Sequence, residues 1–135
     1  KGNTMQFDNV DRGTVEQMVR AFYTRALEDK MIGPTFKKKL GDDINSLKWY
    51  EHLKTLDKFW YTMMTGEHGY RGHPFPPHMF ITPLTRKMFE RWLELFKDTV
   101  DVYFIPEIAD AFYTKAEEFA EEFMENLSVD DEDEW

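Results

Sequence analysis

His78 is the residue of this sequence whose type and setting point most directly to chemistry. It ends the run 70–78, YRGHPFPPH, in which three prolines stiffen the chain between two amphipathic, aromatic-rich segments. An imidazole held by a stiff connector beside a large apolar volume meets the requirement for an axial haem ligand. The sequence therefore indicates His78 as a candidate ligand of haem iron.

The same stretch also permits a zinc site. His68, His73 and His78 follow one another at five-residue intervals, and Zn²⁺ accepts imidazole and carboxylate ligands. Against this interpretation, an aromatic content of 16% serves no purpose in a zinc site, and no compact ligand pair lies on one helix face. A third possibility is a plain helical interaction module that uses its acidic C-terminal tail as a binding strip.

Composition limits the class of protein. With 135 residues, of which 41% are hydrophobic, the chain can bury one core, and we expect a single domain over residues 1–135. Seventeen basic against 26 acidic residues give a net charge of −9, which argues against nucleic acids and anionic membranes as partners. The chain has no cysteine, so Cys-based metal sites are excluded. Without a visible signal or membrane segment, the expectation is a soluble, cytoplasmic monomer.

Helical periodicity runs through the first half of the chain. Apolar residues at i, i+3, i+4, i+7 and i+11 predict a first helix that Thr14 caps and Gly33-Pro34 ends. This face comprises Val15, Met18, Val19, Phe22 and Ala26. A second helix is predicted from about Leu47 to Thr65, closed by Gly66, after a polar connector at residues 37–43.

The second half of the chain predicts two more helices. Thr85 is the expected cap of a long third helix, and Pro106 suits the first turn of a fourth. The acidic tail, residues 128–135, is expected to be solvated and frayed. The fold class is therefore all-α, a helical bundle.

Three amphiphilic side chains do not fit a plain bundle. Tyr23, His52 and Trp92 each lie within or beside the apolar face of a different predicted helix. A buried hydroxyl, imidazole or indole N–H needs a hydrogen-bond partner. A shared site is the simplest reason for all three.

Five segments together resemble the truncated haemoglobin family, and most closely its third group. Their order and separation carry the resemblance, which spans about Thr14 to Phe123; the Gly-Gly pairs of other groups in the family are missing. The segments are VRAFY at 19–23, WYEH at 49–52 followed by FW at 59–60, the run 70–78, PLT at 83–85 and FERW at 89–92. The resemblance implies a two-over-two helical sandwich that binds haem b.

The resemblance also implies roles for individual residues. His78 matches the proximal iron ligand, and Tyr23 and Trp92 match distal donors to an iron-bound ligand. His52 matches a distal histidine that swings between pocket and solvent, so it is expected to gate ligand access; ligation of iron as a sixth ligand is the alternative. Arg71 is a candidate partner for a haem propionate. The apolar lining is expected to comprise Phe22, Phe36, Leu56, Phe59, Trp60 and Phe89.

The function implied by this resemblance is reversible binding of O₂, and also of CO, NO or cyanide. Two distal donors equally suit NO detoxification by dioxygenation or peroxidase-like chemistry, because distal donors and access decide between binding and activation. The sequence contains no flavin fingerprint or reductase domain. Turnover would therefore need an external reductase.

Overall fold

The computed structural model describes residues 6–66 and 85–127 of the protein, and side chains up to residue 122. The described residues form five helices. These are α1 (Arg12–Glu28), α2 (Gly33–Leu40), α3 (Leu47–Thr65), α4 (Arg86–Tyr103) and α5 (Pro106–Leu127).

The helices form two layers. In one layer α1 packs on α3, with the short α2 against α1, and in the other α4 packs on α5. The layers are joined where α1 meets α4 and where α3 meets α5. The all-α prediction is confirmed, and the two long pairs make the expected two-over-two arrangement. Within residues 6–66 and 85–127, none of the helices combines the length and apolar character required to cross a membrane.

The long helices begin and end where their local chemistry predicts. The Ser46 hydroxyl accepts the Trp49 N–H at the start of α3, and Gly66 ends that helix at φ +79°, a left-handed conformation that favours glycine. The Thr85 hydroxyl caps α4 by accepting the Met88 N–H. Pro106 occupies the first position of α5, where the missing N–H costs no hydrogen bond.

The cap of α1 differs from the prediction. Thr14 is the third residue of the first turn, and Asp11 is the N-cap. The Asp11 carboxylate accepts the Thr14 N–H at 2.8 Å, while the Thr14 hydroxyl accepts the Asp11 N–H at 2.9 Å. The prediction that Thr14 caps the helix is wrong because an aspartate three residues earlier forms a reciprocal capping box with it.

The polar connector predicted at residues 37–43 is wrong for its first four residues, which belong to α2. α1 ends before Gly33-Pro34, and these two residues instead begin α2, where proline is tolerated in the first turn. Gly33 is required by a close approach, since a Cβ there would lie 2.5 Å from a backbone carbonyl oxygen of α1. Phe36 is buried and anchors α2 against the core.

One ion pair joins the end of α1 to α4. The Asp29 carboxylate accepts the N–H groups of Met31 and Ile32, at 2.9 and 3.0 Å, and the Nε–H of Arg91 at 2.7 Å. The Asp29 side chain is only 7% exposed. Burial acts to raise the pKa of Asp29, but these hydrogen bonds and the Arg91 charge outweigh it and hold the pKa below its ordinary value.

We expect Asp29→Asn to lower the free energy of unfolding by about 1–2 kcal/mol at pH 7, because the hydrogen bonds to a charged carboxylate are lost. The loss is no larger because Arg91 is partly exposed to solvent, which weakens the ion pair. A lowered carboxyl pKa stabilises the fold above the unfolded value, near 3.8, and this stabilisation disappears as the pH falls through the folded value. Urea unfolding of the wild type and Asp29→Asn at pH 7 measures the loss of stability, and the same comparison at about pH 3 should give a smaller difference.

Asp101→Asn is the matched control. Asp101 pairs with Lys97 at 2.9 Å, but both side chains are about half exposed, and such surface pairs contribute little. Equal losses in the two variants would contradict the importance of the Asp29 contact.

Candidate functional site

The structure brings three of the sequence-predicted polar residues together at the junction of α1, α3 and α4. The rings of Tyr23 and His52 lie 6.5 Å apart, edge to face. Phe22 connects Tyr23 to α4, with its ring centroid 4.6 Å from that of Tyr23 and 5.5 Å from that of Trp92. Phe22 and Tyr23 are adjacent residues on the buried side of α1, so both rings reach this junction.

Tyr23 is 1% exposed. Burial raises the pKa of its hydroxyl, and the Trp92 side chain opposes this with a smaller lowering effect, which indicates that the two polar tips are close. The hydroxyl therefore keeps its proton throughout the range in which proteins function. It can donate a hydrogen bond to a negatively polarised ligand.

Trp92 carries a buried donor whose hydrogen bond is missing. Its Nε1 atom is shielded from solvent, yet it makes no hydrogen bond with any of the residues described, 6–66 and 85–127. Although the Tyr23 hydroxyl is near, it does not meet ordinary hydrogen-bond geometry with Nε1. Since buried donors are usually satisfied, this indole N–H is suited to a ligand that supplies an acceptor.

His52 is half-buried on α3. Burial lowers its pKa to about 4, because the imidazolium form loses solvation. The ring is therefore neutral near pH 7 in this position. An outward ring in solvent would have a pKa near 6.5.

The predicted apolar lining is buried as a set but does not surround the three polar residues evenly. Phe36 lies 5.7 Å from Tyr23, edge to face. Trp60 reaches the site through Phe96, which stacks on Trp60 at 4.9 Å and on Trp92 at 5.4 Å. The remaining members lie in the same core, each at most 3% exposed: Leu56, Phe59 and Phe89.

Trp49 and Phe96 are site neighbours to which the sequence analysis gave no role. Trp49 is fully buried, 5.7 Å from His52 and 6.0 Å from Tyr23. The signal was present, because residues 49, 53, 56 and 60 follow one helical face. The Phe96 ring is nearly parallel to that of Trp92, with an interplanar angle of 1°.

Two predicted site residues, His78 and Arg71, lie outside the described residues, as do His68 and His73 of the zinc alternative. In the part of the chain that the structure does describe, no group of three or more His, Cys, Asp or Glu residues could hold a metal ion. The described part of the candidate site contains an O–H donor, an N–H donor and a half-buried imidazole in aromatic surroundings.

Comparison with known proteins gives a consistent result. A family model described as bacterial-like globin matches residues 6–130. The chain is 28% identical over 123 residues to the group 3 truncated hemoglobin ctb of Campylobacter jejuni, with 91% of this chain and 95% of that protein covered. A crystal structure of the group III truncated hemoglobin from Campylobacter jejuni superposes with a TM-score of 0.80 at 28% identity, over 91% of this chain and 95% of that one.

Proposed function

Because the chain belongs to the bacterial-like globin family, as a truncated globin of the third group, we propose that it binds haem b and reversibly binds O₂ at the haem iron. Haem-based ligand binding is general to the globin family; the haem type and the ligand are the parts proposed for this chain. CO, NO and cyanide are proposed as further ligands.

The observation that carries this proposal is the buried Trp92 Nε1 without a hydrogen-bond partner among the described residues. An apolar core gains nothing from such a donor, since an unsatisfied buried polar group costs about 1–3 kcal/mol. A bound ligand with negative charge on its outer atom would remove that cost. The residues present therefore fit a haem whose distal ligand lies near Trp92 and Tyr23.

When bound, haem supplies an iron centre that takes a diatomic ligand on its distal side. Tyr23 and Trp92 would donate hydrogen bonds to a ligand bound there, in surroundings of low dielectric where such bonds are stronger than in water. Phe22, whose ring packs against those of Tyr23 and Trp92, would help to hold the two donors in place, and the aromatic lining would exclude water. His78 is the proposed proximal ligand and Arg71 the proposed partner of a propionate.

NO dioxygenation and peroxidase-like reduction are the second candidate, favoured by the two converging donors. Conversion of NO and O₂ to nitrate consumes one electron, and reduction of hydrogen peroxide to water consumes two electrons and two protons. Both need an external reductase as the electron source. Nitrate formation by the reduced O₂-bound protein on mixing with NO tests the first reaction.

Haem titration tests the main proposal. We expect the purified protein to take up one equivalent of haem b and to show a Soret band that shifts when the ferrous form binds O₂ or CO. Stoichiometric zinc binding without a Soret band, or a colourless protein that only captures partners, would instead support the alternatives of a zinc-binding or interaction module.

His52 is proposed as the residue that gates ligand access. The inward ring has a pKa of about 4 and an outward ring a pKa near 6.5, so protons favour the outward position. We expect association rate constants for O₂ and CO to rise as the pH falls from about 6.5 to 4. His52→Ala should raise both constants near pH 7 and remove the pH dependence, while changing O₂ dissociation far less than Tyr23→Phe. Stopped-flow or flash photolysis measures these rates.

His52→Leu is the matched control, because leucine fills space but does not titrate. Its association rates should stay slow and independent of pH. If His52→Ala speeds only O₂ release, His52 holds the ligand instead of gating it. A six-coordinate ferrous spectrum that the mutation abolishes would instead show ligation of iron.

A further inference from the structure

We propose that Trp49 is a positioning residue that holds the His52 ring in its inward position and thereby limits how fast ligands reach the haem. This inference rests on the proposed gating role of His52. The structure supports it by placing Trp49 against both His52 and Tyr23 and by fastening its indole to the end of a neighbouring helix.

The Trp49 ring is in contact with the gating residue and with the distal donor. It lies 5.7 Å from the His52 ring at an interplanar angle of 84°, and 6.0 Å from the Tyr23 ring. His52 follows Trp49 by one helical turn, so both side chains lie on the same side of α3. The inward imidazole therefore lies against two aromatic rings that are themselves neighbours, those of Trp49 and Tyr23.

The indole of Trp49 is itself fixed. Its Nε1–H donates to the carbonyl oxygen of Gly41 at 2.8 Å. Gly41 ends α2 at φ +90°, in the region that favours glycine, and its own N–H donates to the Lys37 carbonyl oxygen at 2.8 Å. Phe36, on α2, meets the same indole at 6.3 Å. The Trp49 indole beside His52 is thus anchored to the end of α2 and is not free to move outward with the imidazole.

In the proposed outward position, the His52 ring would lose its edge-to-face contact with Trp49. Removing a contact of this kind shifts an equilibrium by roughly two- to tenfold. Trp49→Leu should therefore raise the association rate constants for O₂ and CO by that factor. Trp49→Phe keeps an aromatic edge and should stay closer to the wild-type rates.

A double-mutant cycle with His52→Ala separates positioning from general packing. If Trp49 acts through His52, Trp49→Leu has no further effect on association in the His52→Ala background. Additive effects would overturn the inference and leave Trp49 as a packing residue. Phe104→Leu is the matched control, because Phe104 is an equally buried aromatic that packs with Phe7 and Phe112. It should lower stability without changing association.

A spectroscopic measurement provides a second test that does not depend on rates. In the diamagnetic ferrous CO form, the ring current of Trp49 should shift the NMR signals of the His52 ring protons. The chain has four histidines, and the signals that disappear in His52→Ala are those of His52. Trp49→Leu should move these signals toward those of an exposed histidine, and Trp49→Phe should move them less. Unchanged signals in Trp49→Leu would contradict the proposal.

The outcomes also separate this inference from the gating role. If His52→Ala leaves association unchanged, the gating role is wrong, and the positioning role fails with it. If His52→Ala speeds association but Trp49→Leu does not, only the positioning role is wrong.

Discussion

Replacing Tyr23 with phenylalanine is expected to raise the O₂ dissociation rate constant by between several-fold and about a hundredfold. A hydrogen bond contributes about 0.5–1.5 kcal/mol net between neutral groups and about 1.5–3 kcal/mol when one partner is charged, as bound O₂ partly is. Burial keeps the Tyr23 hydroxyl protonated, so the donor is available at every working pH. Trp92→Phe should act in the same direction, since it removes the buried indole N–H. Ligand replacement followed by stopped-flow absorbance measures the rate.

CO provides the internal comparison, because bound CO is less polar and should dissociate at nearly the wild-type rate from both variants. Tyr61→Phe is the matched control, since Tyr61 lies on α3 with the Arg12 guanidinium 4.5 Å from its ring centroid and is not one of the three polar site residues, Tyr23, His52 and Trp92. Equal acceleration of O₂ and CO release would mean that Tyr23 and Trp92 supply packing and not hydrogen bonds.

Replacing His78 with alanine should produce the largest change of all. If His78 makes the protein's bond to iron on the proximal side, His78→Ala should lose haem much faster to an acceptor apoprotein. The variant should also lack the five-coordinate ferrous spectrum. The expected cause is direct, because haem iron is held in globins by a proximal imidazole.

His78→Gly with added imidazole separates loss of the ligand from loss of the fold, since free imidazole should restore the ferrous spectrum. His68→Ala and His73→Ala should leave the spectrum and haem retention nearly unchanged. A His78→Ala variant with wild-type spectrum and haem retention would show that another group ligates iron.

The fold was largely predictable because hydrophobic periodicity and capping residues agree along most of the chain. α3 begins and ends as predicted, and α4 and α5 begin as predicted, directly after Thr85 and at Pro106. α2 was missed because three consecutive lysines conceal a helix of only eight residues, too short to show a clear period. Asp11 was missed as the α1 cap because aspartate and threonine three residues apart can each serve as a cap.

The polar residues of the candidate site could be predicted by type, but the packing around them could not. Tyr23, His52 and Trp92 were identified as buried amphiphiles, and the structure places them together. The anchoring of Trp49 depends on the Gly41 carbonyl, eight residues earlier in the connection between α2 and α3. Hydrophobic periodicity does not predict the path of such a connection. Burial that lowers the His52 pKa to about 4 is likewise a product of three-dimensional packing.

The stack formed by the rings of Trp92, Phe96 and Trp60 determines where the buried N–H of Trp92 points. The Trp92 and Phe96 rings are parallel to within 1°, and Phe96 and Trp60 to within 21°, so the indole plane cannot tilt alone in a close-packed interior. The direction of the Trp92 N–H therefore depends on Phe96, a core residue outside the predicted lining, as well as on Trp60. Under the proposed function, two related chains that share every predicted pocket residue could still differ in gas affinity through a substitution at position 96.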